Sequence, residues 1–404
     1  MPIVSNSQDL KKRLDALKKD PFIAIDTEFM RERTYYPILC LVQIAGESDA
    51  FAIDPLAEGL DLEPLFALLK NKKIVKVFHA AEQDIEILYK LAGFMPAPLF
   101  DTQIAAQVLG YGEAVGYGNL VKILTGETID KSSRFTDWSH RPLSPAQIEY
   151  ALADVTHLRH VYVKLAQEIE DKKRGSWFAE ETKDLTNPEH YEFHPENAWK
   201  RFKVRHASPS FLGILSALAE WRERLAQSRN VPRGRIIRDE GVLEIAAARP
   251  ATKEDLQKLR HLHPSVFKER VLMEGVLEAV VKGLKYPAPK QKNQFDFDKD
   301  SALLELLRVL LKAQCEEHNV ARVVVANDED LKRIAHFSEE DLKGNNDIRA
   351  MQGWRLKVFG EAALKLKRGE LALTGTSKKV QVITLEGVKV PAEKKATAKP
   401  RNRK

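Results

Sequence analysis

The stretch FIAIDTEFM, residues 22–30, decides how the first part of the chain is read. An apolar, strand-like run passes straight into Asp26, Thr27 and Glu28. Ionised acids are costly to bury unless a cation meets them. On a strand, residues two apart face the same way, so Asp26 and Glu28 put two like charges on one face beside a core. Arg31 and Arg33 follow, and no lysine lies close by. The counter-charge is therefore a structural arginine pair or a metal ion, and this segment alone leaves both open.

Outward from this run, the first 165 or so residues alternate short strands and helices. ILCLVQIA and DAFAID follow it like a meander, KIVKVFH comes after the helical LEPLFALLKN, and PLFD sits between the helical AAEQDIEILYKLA and TQIAAQVLG. SPAQIEYALADVTHLRHVYVKLAQEI carries a helical period, with Ser144 placed as N-cap and Pro145 at the first helical position. The pattern predicts a mixed α/β sheet with helices packed on it. The glycines at 110, 112, 116 and 118 miss the spacing of a phosphate-binding loop and follow no strand.

Beyond residue 170 strand signals almost vanish. DLTNPEHYEFHPEN reads as a connecting segment, and KYPAPKQKNQFDFDKD as a linker between two helical blocks. NVPRGRIIRDEGVLEIA from Asn230 and NVARVVVANDEDLKRIA from Asn319 match at seven of 17 positions without a gap, 89 residues apart. That period suggests duplicated small domains. The expected organisation is 1–170 for the α/β domain, 171–209 connecting, 210–284 the first helical domain, 285–299 a linker, 300–375 the second helical domain and 376–404 a basic tail.

A chain of 404 residues exceeds one ordinary core, and 44% apolar with 30% charged residues fits a soluble protein. There is no apolar run of the roughly 18 residues that would suggest a membrane span, and no signal-peptide core, so a cytoplasmic location is expected. Cys40 and Cys315 form no metal-ligand spacing. The net charge of +6 is localised: the segment 394–404 has six Lys/Arg and no acid, and the remaining 58 basic residues balance the 58 acidic ones. Residues 200–240 hold a second concentration, ten Lys/Arg against four acids. Such clusters are expected where nucleic acid binds.

A lone Asp-x-Glu says little, and Asp61-Leu62-Glu63 and Asp84-Ile85-Glu86 repeat it. Three pieces taken in order say more: the strand-borne Asp26 and Glu28, then Asp84 about a helical turn after IVKV, then Tyr150 and Asp154 four apart on one helix face. This order resembles the DEDDy 3′–5′ exonucleases. DTEFMRERTYYPILCLVQIA, VFHAAEQDIEIL, LFDTQIAAQVLGYG and TDWSHRPLSPAQIEYALADV are similar to the ribonuclease D family throughout, and the repeats resemble HRDC (helicase and ribonuclease D C-terminal) domains.

The resemblance implies a ribonuclease H-like (proofreading-exonuclease-like) α/β mixed sheet followed by two all-α HRDC domains. It implies that Asp26, Glu28, Asp84 and Asp154 bind two divalent cations, Mg²⁺ or Mn²⁺, that Tyr150 orients the attacking water, and that RNA, such as tRNA precursors with 3′ extensions, is hydrolysed to nucleoside 5′-monophosphates. No protein partner is expected. Nothing in the acids separates RNA from DNA, because that choice depends on contacts to the 2′-OH. Thr27, Phe29, Met30, His79, Trp138 and Arg141 are candidate substrate contacts, with core packing the competing role. Asp101 is expected to cap the helix TQIAAQV that follows it.

Overall fold

The computed structural model describes residues 2–385 apart from 131, 135, 205–206, 286–300, 345–346 and 378. The linker expected at 285–299, beyond Lys285, and the basic segment 394–404 lie outside the described residues.

Six strands form one sheet in the order β1-β4-β3-β2-β5-β6: β1 Ile3–Val4, β2 Phe22–Met30, β3 Ile38–Ala45, β4 Ala50–Ile53, β5 Val75–Phe78 and β6 Leu99–Asp101. β2 runs antiparallel to β3 and parallel to β5, and β3 and β4 are antiparallel, so the sheet is mixed. The strand does not stop at the acids. β2 continues through Asp26 and Glu28 to Met30, with a register shift between Glu28 and Phe29. A bulge of this kind increases local twist and re-aims the side chains around it.

Helices α1 (Ser7–Leu17), α2 (Glu63–Lys70) and α3 (Glu82–Ala92) supply the apolar cover of β2, β3 and β4. In α1, Asn6 caps the N-terminus by accepting from Asp9 N at 2.9 Å, and Leu10, Leu14 and Leu17 are buried at helical spacing. α3 ends at Gly93, whose φ of +74° is left-handed. α4 (Thr102–Leu109), α5 (Tyr117–Thr125), α6 (Pro145–Asp171) and α7 (Gly175–Glu181) follow. At the start of α6, Ser144 Oγ accepts from Gln147 N at 3.2 Å and Gln147 Oε1 accepts from Ser144 N at 2.9 Å, a reciprocal cap. A second cluster, Leu41, Ala52, Trp138, Leu143 and Ala151, lies between the sheet and the start of α6.

The connecting segment is more ordered than its polar composition suggests. It forms 3₁₀ turns at Pro188–His190 and Pro195–Arg201 and inserts Tyr191 into the α/β core, where its hydroxyl donates to Leu185 O at 2.8 Å.

The two helical blocks begin with the same order of elements. α8 (Pro209–Arg229), α9 (Arg233–Ile236) and α10 (Asp239–Ala248) are followed by α11 (Lys253–Gln257), α12 (Ser265–Lys268) and α13 (Arg270–Lys285). The second block begins with α14 (Ala302–His318), α15 (Arg322–Val325) and α16 (Asp328–His336), then α17 (Glu339–Gly344), α18 (Gly353–Arg355) and α19 (Glu361–Lys367). α8 ends at Asn230 (φ 49°) and α14 at Asn319 (φ 47°), both left-handed caps. The buried positions correspond at the sequence offset: Leu218 with Leu307, Ile236 with Val325, Val242 with Leu331 and Ile245 with Ile334. One feature departs from the all-helical expectation. β7 (Leu371–Gly375) and β8 (Val380–Thr384) make an antiparallel hairpin after α19.

The chain groups into two compact units that interleave along the sequence. The first takes residues up to Thr102, Val121–Val163, and Thr182 to the end of α13. The second takes Gln103–Leu120, Lys164–Glu181 and the chain from Ser301 onward. Among the described residues no helix is long and apolar enough to cross a membrane.

Candidate active site

The central strand of the first unit carries Asp26 and Glu28, and α6 carries Asp154. Carboxylate oxygens of these three residues lie within 4.8 Å of one another. Arg31 pairs with Glu86 on α3, and among the described residues no lysine or arginine forms an ion pair with Asp26, Glu28 or Asp84. The arginine reading of the FIAIDTEFM acids does not hold.

Asp84, in the first turn of α3, is buried rather than a surface acid. It is not one of the three converging acids, but Thr27 Oγ1 donates to its Oδ1, tying α3 to β2 beside Asp26. Asp26, Glu28 and Asp84 are all raised above ordinary carboxylate values. Burial pushes Asp26 up to about 6. Burial, then the charges of Asp26, Asp154 and Asp84, push Glu28 up to about 9. Asp84 is raised well above its ordinary value, first by burial and then by Asp26. A group of hard oxygen donors crowded together, with the Arg134 charge offsetting only a small part of the rise at Glu28, suits a divalent metal ion.

Tyr150 lies one turn before Asp154 on α6, its ring 6.1 Å from that of Trp138. Burial, then the Asp154 and Glu28 carboxylates, raise its pKa above that of an ordinary tyrosine, so it keeps its proton.

The other candidates make the following contacts within the fold. Thr27 is buried and its hydroxyl is committed to Asp84. Phe29 packs against the main sheet cluster, and Met30 against the cluster that holds Trp138. Trp138 is buried and backs Tyr150. Arg141 spends its guanidinium internally, on Asp54 at 2.8 Å, Trp138 O at 2.7 Å and Cys40 O at 2.7 Å, so its bonds fix the loop before α6. Thr102 Oγ1 donates to Phe78 O at 3.0 Å, so His79 Nδ1, also 3.0 Å from that hydroxyl, is the donor to it.

Asp101 is a cap, but of a different helix from the one expected. Its carboxylate accepts from Ala80 N at 3.2 Å and Ala81 N at 2.8 Å, ahead of α3. The reason is topological: β5 and β6 are parallel neighbours with Phe78 opposite Asp101, which brings the acid to the start of α3 and hence to the helix of Asp84.

Gln43 escaped the sequence reading. It pairs directly with Asp26 across β2–β3 and is fully buried. A lone amide inside the apolar run ILCLVQIA was the available signal.

This combination defines a class. Residues 1–170 match the 3′–5′ exonuclease family, and residues 211–274 match the HRDC domain. At the level of the whole chain, a ribonuclease D of Nitrobacter hamburgensis is 46% identical over 92% of this chain and 97% of its own. One of Gluconacetobacter diazotrophicus is 48% identical over 92% and 94%. The chain belongs to the ribonuclease D family. The crystal structure of Escherichia coli RNase D, described as an exoribonuclease involved in structured RNA processing, superposes with a TM-score of 0.77 at 29% identity, covering 90% of this chain and 97% of that one. The protein is accordingly a nuclease of the 3′–5′ exoribonuclease type, and its exonuclease family generally uses divalent metals.

Proposed function

We propose that the protein hydrolyses RNA from its 3′ end at a two-ion site made by Asp26, Glu28, Asp84 and Asp154, releases nucleoside 5′-monophosphates, and acts on tRNA precursors with 3′ extensions. The observation that carries this reading is the convergence of the Asp26, Glu28 and Asp154 carboxylates within 4.8 Å. When bound, two Mg²⁺ or Mn²⁺ ions supply Lewis-acid charge on the phosphodiester and a nucleophilic water at neutral pH.

The remaining tasks fall to the chain. Asp26 would be the ligand shared by both ions, with Glu28, Asp84 and Asp154 completing the set of carboxylates. Tyr150 keeps its proton and orients the attacking water with its hydroxyl. Phe29 and Met30 follow Glu28 directly and stack against the terminal base with the part of each side chain that is not buried. Residues 1–170 form the nuclease, 210–284 the first HRDC domain and 300–375 a second, HRDC-like one. The matching left-handed caps at Asn230 and Asn319 support that last assignment.

The test is product analysis on RNA and DNA strands of matched sequence, labelled at the 5′ end, with Mg²⁺ and with chelator. The reading expects stepwise shortening of RNA with metal, nucleoside 5′-monophosphate products, and none of this in Asp26→Asn. Substantial Mg²⁺-dependent cleavage by Asp26→Asn would refute the site.

A further inference from the structure

Gln43 lies in the middle of β3, and its side chain is fully buried. Neither Oε1 nor Nε2 has a hydrogen-bond partner among the described residues. Buried amides are nearly always paired, because leaving one unmade forfeits its hydration with nothing in return. The neighbours give no reason for an amide as packing material. Val42 and Ile44 flank it in sequence, and Ala52 lies opposite it on β4. A methionine or leucine would fill the space without a desolvated polar group.

Its other cross-strand neighbour is Asp26. Directly opposed residues of an antiparallel pair project to the same face, with Cβ atoms about 4.5–5.5 Å apart. One rung on, Glu28 stands opposite Leu41. Leu41 and Ala52 pack with Ala151 of α6, and Tyr150 packs against the same cluster. The amide therefore shares the layer between the sheet and α6 with Asp26, Glu28, Tyr150 and Asp154. Its NH₂ is a neutral donor on the face that carries the acids, without a partner there among the described residues.

We propose that Gln43 is a positioning residue for the metal site: its Nε2 donates to the Asp26 carboxylate when Asp26 engages the cations, and holds that carboxylate in the orientation that serves both. The empty-state cost of an unpaired amide is then offset in the loaded state. Partners in this position orient a ligand without touching the metal, and their loss typically weakens metal affinity about 10–100-fold. The inference rests on the metal-site reading above.

The experiment measures Mn²⁺ binding to the intact protein by electron paramagnetic resonance, and thermal unfolding in chelator, for the wild type, Gln43→Met and Gln43→Leu. Expected are chelated unfolding temperatures equal to or above the wild type in both variants, because an unpaired amide is removed. Mn²⁺ affinity falls about tenfold, and the Mg²⁺ concentration for half-maximal RNA cleavage rises about as much with the RNA KM unchanged. Either variant suffices if the other does not fold. Mn²⁺ affinity within about twofold of wild type overturns the role of Gln43, as does a lower chelated unfolding temperature with unchanged affinity, which would make it a packing residue. A wild type that binds no Mn²⁺ overturns the metal-site reading itself, and so separates the two failures.

Discussion

At the residue scale, the acids of β2 and α6 are an electrostatic conflict built into the fold. Glu28 has an ordinary value near 4.5 and is raised to about 9 in the fold. Between these values the folded chain binds a proton that the unfolded chain does not, so without metal the site's contribution to stability falls as pH rises from about 4.5 to about 9. A divalent ion bound at the proposed site would displace those protons, so its effect would have the opposite slope. Thermal unfolding with and without Mn²⁺ should show a larger stabilisation at about pH 8.5 than at about pH 6. Equal increments at both values would mean that Glu28 is already ionised in the empty site. Tyr150 invites a separate measurement. Tyr150→Phe keeps the ring against Trp138 and deletes the hydroxyl, and single-turnover cleavage should slow by about 10²-fold with Mn²⁺ binding preserved. An unchanged rate would reduce Tyr150 to packing.

At the element scale, helix ends do much of the positioning. Asp101 holds the start of α3 by two backbone N–H groups next to Ala80, whose φ of 57° is left-handed. Asp101→Ala should cost about 1–2 kcal/mol in chemical denaturation, the usual effect of a lost cap, and should speed amide exchange at Ala80 and Ala81. The two left-handed asparagines do more than end helices. Asn230 Oδ1 accepts from Tyr36 N at 3.1 Å, in the loop after β2. Asn319 Nδ2 donates to Leu109 O at 3.0 Å. Arginines three residues on extend both contacts: Arg233 Nη2 donates to Tyr35 OH at 3.1 Å, and Arg322 Nε to Glu113 at 2.8 Å. Glycine tolerates the left-handed cap better than asparagine but lacks the amide. Asn230→Gly should therefore speed exchange at Tyr36 and leave 107–113 unchanged, and Asn319→Gly should do the reverse. Unchanged exchange in both would leave the asparagines as caps alone. Gly110 sits at φ +84° in the receiving turn, and a Cβ there would collide with the Asn319 carbonyl.

At the scale of the whole molecule, basic charge divides into committed and free groups. Of the arginines in 200–240, Arg222 pairs with Asp239, Arg224 with Glu220, Arg229 with Glu269 and Arg233 with Glu223. Lys200, Lys203, Arg235 and Arg238 are exposed and have no ion pair among the described residues. Counterion release gives a log–log salt slope of about −0.7 per neutralised phosphate on single strands. Replacing those four by alanine should weaken RNA binding and make the slope shallower by that amount for each phosphate no longer neutralised, as read from binding isotherms across a salt series. An unaltered slope would place the RNA path elsewhere. The interleaving of the two units also changes how the chain can be cut. Ending it near residue 195 removes Glu223 and Arg233, the partners of Tyr35, from the first compact unit.

The sequence by itself determined the alternation of strands and helices, the matching helical segments from Asn230 and Asn319 and the order of the acids, because each is written locally. Alternation and helical period are short-range, the repeat is a fixed offset, and Tyr150 and Asp154 share a face through helix geometry alone. What only the tertiary structure decided depends on which strands are neighbours. Parallel pairing of β5 with β6 sends Asp101 to α3 instead of α4. The β2–β3 register sets Gln43 against Asp26, and a one-residue slip would move it to the other face. That Arg31 does not pair with Asp26 or Glu28 was likewise decided in three dimensions. Arg31 is five residues from Asp26 along the chain, yet α3 offers it Glu86 across the fold, and the strand acids are left facing Asp154.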